Sequence, residues 1–156
     1  MADIQVEKGN FIEAEKLYNK SFELLEESSS PFKDSMKVRI FLCQGKLQLD
    51  QGNYKISLKH FNESLELEQK IAPLNNLSIS DIFSGIGIIN SIEGNYNVAF
   101  DFFERSLKTL KREDHPCSVQ IANKINNLAY MHGKKVNYDL ALKLFEEALQ
   151  IRLGYL

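Results

Sequence analysis

The chain is poor in the residues that build metal and redox centres. It has two cysteines, Cys43 and Cys117, and three histidines, His60, His115 and His132, scattered over 156 residues. These cannot form a metal framework, and the cysteines read as free thiols of a reducing compartment. Net charge is also scarce: a balance of −2 gives no electrostatic reason to expect nucleic acid or an anionic membrane as partner. No apolar run approaches the roughly 18 residues of a membrane span. Residues 1–10 lack both the basic and the apolar segment of a secretory signal, so the N-x-S matches at Asn19, Asn62 and Asn76 read as chance and a cytoplasmic location is expected. Proline is limited to Pro31, Pro73 and Pro116, which will prove informative.

What the chain does have is self-similarity. Gly94-Asn95-Tyr96 recurs as Gly52-Asn53-Tyr54, as Gly9-Asn10-Phe11 and, with the glycine replaced, as Val136-Asn137-Tyr138; the copies start 43, 42 and 42 residues apart. A fixed period of this size marks a stacked array of supersecondary units. Three residues after each aromatic stands a small residue (Ala14, Ser57, Ala99, Ala141), and seven after it another aromatic (Tyr18, Phe61, Phe103, Phe145). Ten and eleven after it come a small and then a large apolar residue: Ser21-Phe22, Ser64-Leu65, Ser106-Leu107 and Ala148-Leu149. These offsets share one face of a helix with 3.6 residues per turn, so each tripeptide opens an amphipathic helix.

A further small residue lies nine before each opening aromatic: Ala2, Gly45, Gly87 and Ala129. The segments around the last three are apolar and of helix length, so a repeat is a helix, a tight turn and a second helix whose axes approach closely through small residues. The three prolines stand at equivalent places between repeats, where a helix can start but not continue, and bracket the same units independently. The expectation is a single domain, 1–156, with a truncated copy over 1–30 and full repeats over about 34–71, 77–111 and 117–153. Gly133-Lys134-Lys135 is expected to loosen the turn where Val136 replaces glycine.

Chemical constellations are weak. Gly85-Ile86-Gly87 resembles the start of a dinucleotide fingerprint, but Asn90 stands where the third glycine belongs and no strand precedes it. The histidines fall in different repeats without an aligned nucleophile or carboxylate. Glu26-Glu27 and Glu146-Glu147 read as solvated helix faces. The chain is therefore read as a non-enzyme that needs no metal or cofactor.

The pattern of small, aromatic, small and apolar positions around a helical hairpin resembles the tetratricopeptide repeat, with the longer period of kinesin light chains and similar proteins. The fourth repeat is the most similar: Asp114-His115-Pro116, then Asn126-Asn127-Leu128-Ala129, Tyr138, Ala141-Leu142 and Glu147 through Arg152. A HEAT or armadillo array has a comparable period but does not explain the small residue followed by an aromatic four residues later in every copy.

The resemblance implies an all-α, right-handed superhelix of helix-turn-helix repeats whose first helices line a concave groove. Counted from the packed small residue, the groove candidates are Arg39, Leu42, Lys46 and Leu49, with Cys43 beside them. Ser84 and Ile88 follow in the third repeat, with Asp81, Gly85, Ser91 and Ile92, and Asn123, Asn126, Asn127 and Tyr130 in the fourth. Asn127 is the first choice for a ligand contact, since an amide pairs with both donors and acceptors of an extended backbone; Asn126 and Asn127 bonding only within the array is the competing reading. The lysines, arginine and asparagines with which chaperone-binding members of the family hold a terminal carboxylate are replaced here by Leu42, Gly85 and Asn123, so that clamp is not expected. The function implied is a scaffold for a protein or peptide partner or, alternatively, a regulatory or sensor module of a larger multidomain protein. The apolar end, Leu149 to Leu156, adds the expectation of a longer array or of self-association through a terminal helix.

Overall fold

The computed structural model describes residues 10–71, 74–113 and 117–154, and among these it is entirely helical. Seven helices follow one another: α1 Phe11–Glu27, α2 Lys33–Asp50, α3 Tyr54–Glu68, α4 Asn76–Ile92, α5 Tyr96–Leu110, α6 Ser118–Lys134 and α7 Tyr138–Leu153. Two compact units emerge, 1–78 and 79–156. The first holds α1 and the hairpin of α2 and α3; the second holds the hairpins α4–α5 and α6–α7. Ala2, Pro73 and the Asp114-His115-Pro116 motif lie outside the described residues.

In unit 1 the hairpin is closed by its smallest residue. A Cβ at Gly45 would stand 2.6 Å from Cε1 of the fully buried Phe61, so α2 and α3 meet at a distance that only glycine permits. Ser57 completes the contact by donating its hydroxyl to the Gly45 carbonyl at 2.7 Å, and Ser64 donates to the Val38 carbonyl at 2.9 Å. Burying a hydroxyl is costly unless it is bonded, and both are bonded across the hairpin. On the other side, α1 buries Ala14 and Tyr18 against Ile40 and Leu47 of α2.

Unit 2 repeats the solution. A Cβ at Gly87 would stand 2.7 Å from Cε1 of Phe103. Ser106 donates to the Ser80 carbonyl at 2.7 Å and Ser80 to the Ser106 carbonyl at 2.9 Å. With those protons assigned, the Ser84 hydroxyl donates to Ser106 Oγ at 2.8 Å. In the last hairpin the same two positions are Ala122 and Ala148, both buried, and no hydroxyl needs a partner. The face of α5 is covered by α6, with Ala99 and Phe103 packed on Leu128 and Met131.

The three hairpin turns are alike, including the one expected to loosen. Asn53, Asn95 and Asn137 donate their backbone N–H to the carbonyls of Gln48, Asn90 and His132, at 2.8, 2.8 and 2.9 Å. This six-residue closure requires a left-handed residue just before each asparagine. Gly52 and Gly94 supply it at φ 79° and 82° without strain; Val136 adopts φ 65°, and the geometry is kept at the expense of a β-branched residue in a region it avoids.

Candidate functional site

Positions seven apart on a helix lie on one line. Counted from the packed small residue, the sixth residue before and the first after form such a line on each first helix: Arg39 and Lys46 on α2, Asp81 and Ile88 on α4, Asn123 and Tyr130 on α6. Arg39, Lys46, Asn123 and Tyr130 are exposed, Tyr130 by half; Asp81 and Ile88 are half-buried. Leu49, Asn126 and Asn127 are half-buried beside the line.

Leu42, Ser84 and Gly85 depart from the expectation of exposed groove residues. Leu42 and Ser84 are each only 7% exposed, and Gly85 is buried. Leu42 and Ser84 stand three residues before Gly45 and Gly87, and positions i and i+3 share a helix face, so both turn toward the packed side. The bond from Ser84 to Ser106 on α5 shows what that side serves.

On α6 the amides divide. Asn123 Oδ1 accepts from Arg152 Nη2 of α7 at 2.6 Å, so it is held by its own hairpin. Asn126 and Asn127 have no hydrogen-bond partner among the described residues and retain their full pairing capacity. Tyr130, one turn on, is flanked by Lys134, whose ammonium sits 5.1 Å from the ring centroid. The hydrogen bond to Tyr130 holds Lys134 above the ordinary lysine range, with the charges of Tyr130 and Tyr96 adding to the shift.

One residue of unit 2 escaped the sequence reading. Lys124 is 6% exposed in a column that holds Ile40 and Ile82 in the other repeats, and its ammonium donates to Asp81 Oδ1 at 2.6 Å. The ion pair joins the first helices of consecutive repeats. A lysine in an otherwise apolar column, with an aspartate one period earlier, is the signal that identifies it.

Residues 121–153, the span of α6 and α7, match the tetratricopeptide repeat. The last hairpin carries a tetratricopeptide repeat. Its fold is shared with solved structures of low sequence identity. One is BtubC (BKLC) from P. vanneervenii, 21% identical with a TM-score of 0.81, where the match covers 98% of this chain and 60% of that one. Another is MamA, 18% identical with a TM-score of 0.63, covering 99% and 76%. The chain thus spans 60% of the BtubC structure it matches. No curated protein sequence matches it.

Other chemistry finds little support among the described residues. His60 bonds Glu63 of its own helix at 3.2 Å, and His132 packs edge-on against Phe100. Among the described residues no group of three or more histidine, cysteine or acidic side chains could hold a metal ion, and no helix is long and apolar enough to cross a membrane.

Proposed function

We propose that this tetratricopeptide-repeat chain is a non-catalytic scaffold that binds a peptide or protein segment in the concave groove its family resemblance implies. Each unit offers its own contacts on the exposed lines of its first helices: Arg39 and Lys46, with Leu49, on α2 of unit 1; and Ile88 on α4 with Asn123, Asn127 and Tyr130, and Asn126 beside them, on α6 of unit 2. The observation that carries the reading is the pair of unbonded amides, Asn126 and Asn127, on a helix whose other long polar side chain at the face, Asn123, is already engaged. An asparagine amide donates and accepts at once, which matches the alternating N–H and C=O groups of an extended segment. Arg39 and Lys46 favour a ligand that is at least partly acidic, with affinity that falls as salt rises. Self-association through α7, whose Leu142, Phe145, Leu149 and Leu153 are exposed, belongs to the same proposal and is checked by light scattering of Leu149→Lys against the unaltered chain.

The test is an affinity capture with mass-spectrometric identification, followed by titration of the captured partner. Asn127→Ala should lose about 0.5 to 1.5 kcal/mol per hydrogen bond removed, and Lys46→Ala should flatten the salt dependence. Lys108→Ala, an exposed change on α5, serves as control. If Lys108→Ala weakens binding as much as the other two, the partner docks elsewhere and the site assignment fails.

A further inference from the structure

The α6–α7 hairpin of unit 2 carries a cation that the lines of the first helices leave out. Arg152 is an exposed residue of α7, yet its Nη2 donates to Asn123 Oδ1 at 2.6 Å, which brings the guanidinium to the N-terminal half of the α6 line. A guanidinium has five N–H donors. One is used on the amide, and no carboxylate meets the others among the described residues.

A second cation stands at the other end of the same line. Lys134 is exposed, hydrogen-bonds Tyr130 and holds its ammonium 5.1 Å from the centre of that ring. It too has no carboxylate partner among the described residues. Elsewhere on the chain lysines find one: Lys33 and Lys37 share Glu26, Lys59 meets Glu63, and the buried Lys124 is matched by Asp81. On this hairpin the two anchors are an amide and a phenol, so each charge is positioned without being neutralised. Asn126 and Asn127 lie between the anchors, three and four residues beyond Asn123 and before Tyr130, on the same face of α6.

The spacing of the charges selects a ligand. Tyr130 follows Asn123 by seven residues and Lys134 by eleven, which at 1.5 Å per residue puts the two charges roughly 10 to 16 Å apart along α6. In an extended segment, side chains two or four residues apart share a face; two residues span only about 7 Å and four about 13 Å. We infer that the extended segment proposed above carries two acidic side chains four residues apart, one for Arg152 and one for Lys134; this rests on that reading and names its ligand chemistry. The backbone between the acids bonds Asn126 and Asn127, and the remaining donors of Arg152 take a carboxylate. Arg152 is thereby a specificity residue supplied by a second helix.

The probe is a fluorescein-labelled peptide, Thr-Glu-Ser-Thr-Ser-Glu-Thr, read by fluorescence anisotropy against the full chain at low salt. It is expected to bind, and more tightly than the same residues reordered with the glutamates adjacent or the same peptide with glutamine at both places. Arg152→Ala and Lys134→Ala should each weaken it about two- to fivefold, as loss of an exposed ion pair does. Lys143→Ala, which removes an exposed cation elsewhere on α7, should leave it unchanged. Arg152→Glu should bind the probe poorly and recover with a peptide in which one of the two glutamates is lysine, the end that recovers giving the direction of the segment. Circular dichroism checks that the variants keep their helices. Equal binding of the adjacent-glutamate peptide, equal weakening by Lys143→Ala, or recovery at neither end would overturn the inference. Glutamine and glutamate peptides that bind equally, both weakened by Asn127→Ala, would leave the groove reading standing while the acid pair falls; no binding by either peptide would remove both.

Discussion

Gly87→Ala adds one methyl group at the tightest point of the third repeat. Its Cβ would lie 2.7 Å from Cε1, 2.8 Å from Cδ1 and 3.2 Å from Cζ of Phe103. The ring is 3% exposed and packed on Ala99, Leu128 and Met131, so it can yield only by displacing α5 from α4 or by pushing into α6. Overpacking of this kind costs about 1 to 3 kcal/mol. The same substitution also gains about 0.5 to 1 kcal/mol of helix propensity, because glycine loses the most backbone freedom on folding. Gly133→Ala isolates the second effect, since a Cβ there meets nothing within 4 Å. Gly133→Ala should therefore stabilise slightly, Gly87→Ala should be neutral to destabilising by about 2 kcal/mol, and Gly87→Leu should be worse than either. The difference between the two alanine variants cancels propensity and reads the clash directly. Urea unfolding followed by circular dichroism measures all three, and equal effects of Gly87→Ala and Gly133→Ala would show that the hairpin does not close at Gly87.

The remaining predictions rest on separate features. Val136→Gly should stabilise by about 1 kcal/mol, because glycine carries no Cβ penalty at positive φ and Val136 is exposed; a lower melting temperature would count against the left-handed valine. Lys124→Met should destabilise by about 1 to 3 kcal/mol, since Asp81 loses a charged partner, and adding Asp81→Leu should restore most of it; a double-mutant cycle without coupling would refute the pair. Hydrogen bonds from Lys37 and then Lys33 hold Glu26 below the usual glutamate range. A depressed folded value contributes stability above the ordinary glutamate pKa and loses it as pH falls through the folded value. Glu26→Gln should accordingly reduce the acid sensitivity of stability, and an NMR titration showing Glu26 at an ordinary value would contradict it.

Much of this fold could be read because close approach leaves a mark in sequence. A helix pair that meets through glycine needs a flat ring opposite, and Gly45 with Phe61 and Gly87 with Phe103 wrote that need twice at one spacing. The burial of Leu42 and Ser84 was legible in principle, since a residue three before the packed glycine must share its face. What hid it is that Leu42, a large apolar residue, fits a hydrophobic groove as well as a core, while Ser84, a small polar one, looks like surface until its bond to Ser106 is seen. The turn at Val136 was misread for a different reason. Local preference argued for a looser connection, and the hydrogen bond from Asn137 to the His132 carbonyl, with the packing of the hairpin behind it, overrode that preference.

The hydroxyl columns explain why a candidate site can stay separate from the fold. Ser64 answers Val38, Ser106 answers Ser80, and in the last hairpin Ala148 faces Ala122 with nothing to satisfy. At these positions each hairpin thus settles its hydroxyl groups within itself, by pairing them or by leaving them out. Unspent hydrogen-bonding capacity then collects where no neighbouring layer asks for it, at Asn126 and Asn127, and at Ser21, whose hydroxyl makes do with its own helix. Substituting such groups removes no bond between helices, so stability should hold while affinity changes. On the proposed function that asymmetry is the expected outcome, and it is opposite to the behaviour of Ser106, where loss of the hydroxyl would leave Ser84 without its acceptor inside the core.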